Sequence, residues 1–464
     1  MIKATLAEIA QTTGGRLLQG NPAVTVSAVS TDTRKLKGGE IFFALTGERF
    51  DAHDYLGEAV ARGAAALVVA RETAVPPGIP VILVRSPRAA LQALARHNRE
   101  KCAVPVVGVT GSTGKTTTKD ILAAVLGARM PVIKTEGNLN NDIGLPLTLL
   151  SMDRGCRAAV VEMAMRGPGE IDVLCRVARP TAAIITNIGE THLERLGSVS
   201  NIAAAKGEIL DHVPADGFAL IHADSPFVER EAGRCRGKVI TFGIGGNAGL
   251  HPLDIEVVDG GSRFATVTGG VRQRFFLPLP GRHNVVNALA AIGAARELGL
   301  TPGEIAAGLA AAALTGMRLE VFDCGGLTII NDAYNANPAS ARAALSTQFD
   351  LAGARRRLAV LGGMFELGAR AAAGHREVGE EAAALAVDGL VTVGDLAIGI
   401  ADGARKAGLP PARIFHCAGN EEAAGVLGGL LREGDVVLVK GSRGMRMEEI
   451  VDYLKTRAIP AGTA

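Results

Sequence analysis

The sequence predicts an α/β protein of three domains, each built on strands that alternate with helices. Three observations carry that prediction. The chain has 464 residues, more than one hydrophobic core usually organises. Its strand candidates are apolar throughout and separated by helical segments, a pattern that suits parallel sheets covered on both faces. The alternation also begins afresh near residues 87 and 317, so the expected domains are 1–86, 87–316 and 317–464.

In the first domain the strand signals are VTVSAV, EIFFAL and AAALVV, followed by the turn-rich VPPGIP and the short strand VILV. The second opens with SPRAALQALARHNREK, read as a helix with Ser86 as N-cap and Pro87 at its first position. Leu91, Leu94 and Ala95 share one face of it. VPVVGVT, AAVVEM and AAIITNI then read as buried strands, and TTTKDILAAVLGA as the helix after the first of them. The third domain alternates GLTIIND, ARAALSTQF, RRLAVLGG, HREVGEEAAALAV, GLVTVG and GDVVLVKGS, a smaller doubly wound, Rossmann-like unit.

Composition excludes several classes of function. Hydrophobic residues at 48% and charged residues at 21% describe an ordinary globular chain. A formal charge of +2 gives no reason to expect nucleic acid or an anionic membrane as partner. With no tryptophan, stacking platforms for single strands are not expected. Glu8 and Gln11 interrupt the apolar run a signal peptide needs, and no charge-free stretch of about 20 apolar residues occurs. The cysteines, Cys102, Cys156, Cys175, Cys235, Cys324 and Cys417, form no CxxC pair and read as reduced. A cytoplasmic location follows as the expectation.

The strongest local signal lies after Val104–Thr110, where the strand runs into Gly111-Ser112-Thr113-Gly114-Lys115-Thr116-Thr117. Strand, glycine-rich turn and helix together make a phosphate cradle, with backbone N–H groups and the helix dipole facing the anion. Lys115 is placed for the β and γ phosphates of ATP and Thr116 for magnesium. One departure stands out: the first glycine of the usual phosphate-loop pattern would fall on Val109. A tight turn with no ligand is the bland alternative.

Further segments occur in a telling order. They are GNLNNDIGLPLTLL (Gly137–Leu150), EMAMRGPGEI (Glu162–Ile171), TNIGETHLERLGS (Thr186–Ser198), AAAKGEI (Ala203–Ile209), GRHNVVNALAA (Gly281–Ala291), LTGMRLEVF (Leu314–Phe322), INDAYNANPAS (Ile330–Ser340), AVLGGMFELG (Ala359–Gly368) and VLVKGSRGMRMEEIV (Val437–Val451). With the loop TGSTGKTT, they resemble the Mur ligase family along nearly the whole chain. NDAYNANP and KGSRGMRME resemble the branch that adds D-alanyl-D-alanine. Ser30–Tyr55 resembles that branch's uridine-nucleotide domain, which the related folylpolyglutamate synthetases lack.

The resemblance implies an N-terminal UDP-substrate domain, a central ATPase domain and a C-terminal domain that closes the site. It also implies ATP-dependent joining of D-alanyl-D-alanine to UDP-muramoyl-tripeptide through an acyl phosphate, with ATP and Mg2+ as cofactors; a monomer is the expected working form. Glu162, at a strand's carboxyl edge, and His192 are matched to magnesium ligands. A solvated strand-end glutamate and an ordinary loop histidine are the bland alternatives. Lys206 matches a lysine that is carbamylated in the family; the bland alternative pairs it with Glu208 or another acid. His283 and Asn284 are matched to the adenine end and Asn287 is read as capping or packing. Arg318 is matched to the γ-phosphate, and Asp332 to the ribose, with Tyr334, Asn335 and Asn337 completing that turn.

For the substrates, Lys440, Ser442 and Arg443 suit carboxylates, unless they form only a salt-bridged surface loop. Asp32, Thr33, Arg34, Arg49, Asp51 and His53 are candidate contacts to the UDP-sugar, and Asn138, Asn140 and Asn141 a wall for its pyrophosphate. Gly363 stands where the family usually shows aspartate, although His375 nearby is retained. Two other readings stay open: a sibling ligase that adds the third amino acid, and a non-catalytic nucleotide-binding relative.

Overall fold

In a computed structural model the described residues are 1–72, 77–258, 260–268 and 270–456. Two residues of the expected VPPGIP turn, Val75 and Pro76, lie outside them. Three α/β sheets follow one another along the chain. The first has five strands in the order Arg16–Gln19, Val81–Leu83, Ala66–Val69, Ile41–Phe43, Val29–Ser30. All its neighbours run parallel except the Arg16–Gln19 edge. Phe42, Leu67 and Val69 bury one face, and Ile41, Phe43 and Val68 bury the other.

The central sheet has six strands, all parallel, in the order Lys238–Phe242, Phe218–His222, Ala182–Ile185, Val106–Thr110, Ala158–Glu162, Val132–Lys134. Val106–Thr110 lies centrally and every residue of it is buried, as its unbroken apolar pattern requires. The helices Lys115–Gly127 and Arg282–Glu297 cover one face, and Pro87–Lys101, Glu170–Ala178 and Val199–Asp211 lie over the other. Ser86 caps Pro87–Lys101 by accepting the Ala89 N–H at 3.3 Å. An antiparallel meander, Pro252–Val258, Gly261–Thr268 and Val271–Leu277, extends this domain.

The third sheet runs Glu320–Cys324, Leu327–Asp332, Val436–Lys440, Arg357–Gly362, Gly389–Val393, Ile414–Cys417, parallel except at its first strand. One apolar core joins the first domain to the second, since Leu6, Ile41 and Ile82 belong with Leu91, Leu149 and Ile185. Asn98 stitches the same seam, taking the Ile2 N–H at 2.9 Å and donating to Leu149 O at 2.9 Å. The third domain keeps its own two cores on either side of its sheet. No helix among the described residues is long and apolar enough to cross a membrane.

Candidate active site

The carboxyl edge of the central sheet is where loops can open a ligand crevice, and the phosphate loop lies there. Gly111 (φ 146°) and Gly114 (φ 77°) take backbone angles that favour glycine. A Cβ at Gly114 would come within 2.5 Å of Asn287 Oδ1. Asn287 therefore walls the loop by close packing, and it accepts the Thr118 hydroxyl at 3.3 Å.

Asn187 shapes the loop's other side. Its side-chain oxygen accepts the N–H groups of Ser112 at 3.1 Å and Thr113 at 2.8 Å. The Ser112 hydroxyl donates to Gly189 O at 2.9 Å and accepts the Gly189 N–H at 2.9 Å. Asn187 carries no distinguishing pattern of its own in the sequence; it lies inside TNIGETH, five residues before His192.

Lys115 Nζ donates to Gly111 O at 2.8 Å, and the buried Lys206 Nζ donates to the same oxygen at 3.0 Å. Burial, then the nearby charge of Lys115, pushes the Lys206 pKa well below the usual lysine range. Burial also lowers that of Lys115, with Glu162 opposing. Two ammonium groups sharing one acceptor sit within roughly 6 Å, where repulsion costs about 3 kcal/mol at an effective dielectric near 20. The site thus favours an anion beside them, or a neutral Lys206. The alternative pairing with Glu208 does not form, because Glu208 accepts the N–H groups of Gly169 at 2.7 Å and Asp172 at 3.0 Å.

Glu162 is buried rather than solvated. It accepts the Thr116 hydroxyl at 2.7 Å and the Asn140 amide at 2.7 Å, while its N–H donates to Thr135 Oγ1 at 2.9 Å. A hydroxyl and a carboxylate are hard oxygen donors, so this pair suits a magnesium ion that keeps several waters. His192 (φ 58°) faces the third domain instead, its Nδ1 2.7 Å from Glu366 Oε2. Burial lowers its pKa, Glu366 opposes, and the charges of Lys206 and Lys115 add to the lowering. No group of three or more His, Cys, Asp or Glu side chains that could hold a metal occurs among the described residues.

The third domain brings the other nucleotide candidates. The Arg318 guanidinium lies 3.9 Å over the Tyr334 ring, and its charge bears on Lys115. Asp332 pairs with Lys440 Nζ at 2.5 Å and accepts the Leu319 N–H at 3.1 Å. Lys440 is buried and also donates to Asn335 O at 2.9 Å, so it is no surface-loop lysine. Asn335 Oδ1 accepts the Ala336 N–H at 2.9 Å. Asn337 caps the helix Pro338–Ala352, taking the Ser340 N–H at 2.9 Å, which commits its side-chain oxygen to structure. Asn284 is buried and donates to Pro280 O at 2.7 Å. Desolvation pushes the His283 pKa down to about 4, Asp332 opposing and Lys440 adding to it.

Candidates for substrate contact divide in the same way. His53 is buried, with Nδ1 2.6 Å from Asp51 and Nε2 accepting the Ala70 N–H at 2.9 Å, so both ring nitrogens are used internally. Hydrogen bonds led by the His53 N–H hold Asp51 well below the usual carboxylate range. Asp32 takes Arg34 in a two-pronged pair, Nε and Nη2 each at 2.9 Å, beside the buried Thr33. Arg49 and Asn138 are exposed. Asn141 Oδ1 accepts the N–H groups of Ile143 at 3.2 Å and Gly144 at 2.8 Å, where the helix Gly144–Leu150 begins. The Ser442 hydroxyl accepts the Phe365 N–H at 2.9 Å, and the exposed Arg443 pairs with Glu448 at 2.9 Å.

The loop around Gly363 is well tied. Gly363 O accepts the Ser442 N–H at 3.1 Å, and His375 Nε2 accepts the Met364 N–H at 2.9 Å. A Cβ at Gly363 would lie 3.2 Å from Leu396 Cβ, close but able to give, because Leu396 is exposed.

A glycine-rich phosphate loop on a parallel sheet, faced by a doubly wound third domain, defines a three-domain nucleotide-binding α/β enzyme fold. Models for the Mur ligase family catalytic domain, the Mur ligase middle domain and the Mur ligase glutamate ligase domain match residues 25–99, 109–295 and 317–443. The UDP-N-acetylmuramoyl-tripeptide–D-alanyl-D-alanine ligase of Bacillus subtilis is 42% identical, over 98% of this chain and 99% of its own. Among solved structures, MurF from Acinetobacter baumannii superposes with a TM-score of 0.90 at 31% identity, covering 98% of this chain and 99% of that one. MurF ligase from Thermotoga maritima in complex with ADP gives 0.82 at 30% identity, covering 93% and 97%. The chain belongs to the Mur ligase family.

Proposed function

We propose that the protein joins D-alanyl-D-alanine to UDP-N-acetylmuramoyl-tripeptide at the expense of ATP, forming the UDP-muramoyl-pentapeptide used to build peptidoglycan. The observation that carries this reading is the phosphate loop with Lys115, Lys206, Thr116 and Glu162 around it, in a chain aligned end to end with a ligase of that name.

A carboxylate oxygen of the tripeptide attacks the γ-phosphorus, and ADP leaves with the bond's electrons. The dipeptide amine then attacks the acyl carbon, phosphate departs, and the nitrogen gives up a proton. The chain's part is placement and charge. Lys115 and Arg318 neutralise the transferring phosphoryl group. Burial disfavours the charged form of Lys206, and the amine, once it has lost its proton, is chemically able to take up CO2 as a carbamate and so become an anionic oxygen donor. Magnesium, held by Thr116 and Glu162, would supply further charge neutralisation at the phosphates.

Lys440, Ser442 and Arg443 on the third domain would meet the dipeptide, and Asp32, Thr33, Arg34 and Arg49 the UDP-sugar. The boundaries 1–86, 87–316 and 317–464 then divide UDP-substrate, ATP and dipeptide handling. A cytoplasmic monomer acting on small molecules is the expected working form.

The test is phosphate release from ATP with UDP-muramoyl-tripeptide, run in parallel with D-alanyl-D-alanine and with single amino acids. Turnover with the dipeptide supports the reading. Turnover only with a single amino acid on the dipeptide precursor would move the protein to a sibling ligase. No coupled turnover with any pair would leave a nucleotide-binding relative without catalysis.

A further inference from the structure

Asp120 lies in the second turn of Lys115–Gly127, the helix that follows the phosphate loop, and is buried. Each of its carboxylate oxygens meets two donors. Oδ1 faces Lys134 Nζ at 2.8 Å and Lys119 Nζ at 3.1 Å. Oδ2 accepts the Thr315 N–H at 2.9 Å and the Thr315 hydroxyl at 2.8 Å. Burial pushes the Asp120 pKa up, but the two lysines and the Thr315 N–H outweigh it and leave it below the ordinary value.

Thr315 opens the segment that carries Arg318 from the central domain into strand Glu320–Cys324. Met317 (φ 60°) and Leu319 (φ 47°) flank the arginine in the left-handed region, which side-chain-bearing residues adopt only when held there. The third domain supplies that hold, through Tyr334 N–H to Met317 O at 3.1 Å and Leu319 N–H to Asp332 at 3.1 Å. Arg318 therefore rides on a strap pinned at both ends. Its Nε is buried and has no hydrogen-bond partner among the described residues, a donor left available beside the phosphate loop.

We propose that Asp120 is a positioning residue for Arg318, fixing it through Thr315 against the same helix that presents Lys115. Asp120 is five residues from Lys115, about 7.5 Å along the helix axis, so both ends of the phosphate grip share one rigid element. The proposal rests on the reading that Arg318 meets the terminal phosphate.

Thr315→Val removes the hydroxyl donor and keeps Asp120 with its two lysines. We expect kcat/KM for ATP to fall about tenfold, with the thermal midpoint within about 2 °C of wild type. The preference for ATP over ADP, measured by calorimetry without turnover, should fall by a similar factor. Thr315→Ser should restore both. Asp120→Asn should share the loss, and Thr315→Val should add nothing in an Arg318→Ala background.

An unchanged kcat/KM and nucleotide preference in Thr315→Val would overturn the proposal. So would an equal loss from Thr315→Val in the Arg318→Ala background. If wild type failed to turn over with the dipeptide, the proposed function would fall, while the ATP-to-ADP preference would still decide the role of Asp120.

Discussion

Lys115 and Lys206 donate to one backbone oxygen, that of Gly111, at 2.8 and 3.0 Å. They come from elements far apart in the chain, the first turn after the phosphate loop and the middle of helix Val199–Asp211. Neither ammonium has a carboxylate within bonding distance among the described residues. Such an arrangement is costly alone, and phosphate oxygens bound beside it would relieve it.

Lys115→Ala should lower turnover at least a hundredfold, because its ammonium faces the loop and not a core. The thermal midpoint should stay within about 2 °C of wild type. Rate assays at saturating ATP with parallel calorimetric scans check both; near-native turnover would remove Lys115 from the phosphate grip.

Lys206→Met should also abolish most turnover, yet raise stability by about 1 kcal/mol, since a buried cation without a counter-charge is replaced by an apolar chain of similar length. Urea unfolding at neutral pH measures this. A loss of stability would mean that Lys206 is paired in the folded protein.

His283 carries a pH prediction. Its folded pKa of about 4 lies below the ordinary histidine value, so as pH falls the unfolded chain takes up a proton that the folded one refuses. Stability from this site is therefore present above about pH 6.5 and lost as pH drops toward 4. Since the ring is only half-buried, solvent screening limits the effect to about 2 kcal/mol. His283→Gln should flatten the difference between unfolding at pH 7 and pH 4.5, and an identical slope in both proteins would contradict it.

Gly363→Asp should be nearly silent. The φ there is not in the left-handed region, and the nearest atoms to an added Cβ are Leu396 Cβ at 3.2 Å and Met445 Sδ at 3.7 Å. Turnover within about threefold and stability within about 0.5 kcal/mol of wild type are expected. A tenfold change in dipeptide KM would instead make this position a determinant of dipeptide handling.

Much of the fold was legible because its strands are buried on both faces: Val106–Thr110, Ala158–Glu162 and Ala182–Ile185 each read as unbroken apolar runs. The helix after Ser86 announced itself by its cap and proline. The meander of residues 252–277 was not read: its outer strands are largely exposed or half-buried, and the mostly buried Gly261–Thr268 mixes Gly, Ser, Arg and Thr into its run. In the site, the phosphate loop was plain from local spacing. Residues whose work is to hold others were not: Asn187, Asp120 and Thr315 act through partners more than 70 positions away, which no local pattern records. Conversely, His53 and Asn337 read as ligand contacts, while both His53 ring nitrogens and the Asn337 side-chain oxygen also bond within the fold.

The central claim is that ATP activates the tripeptide's carboxylate for attack by D-alanyl-D-alanine. UDP-muramoyl-tripeptide labelled with oxygen-18 in its terminal carboxylate, turned over with ATP and the dipeptide, tests it most directly. The predicted result is one labelled oxygen in each phosphate released, together with a pentapeptide product by mass. Unlabelled phosphate would contradict the account, because ATP would then have been cleaved by water and not by the carboxylate.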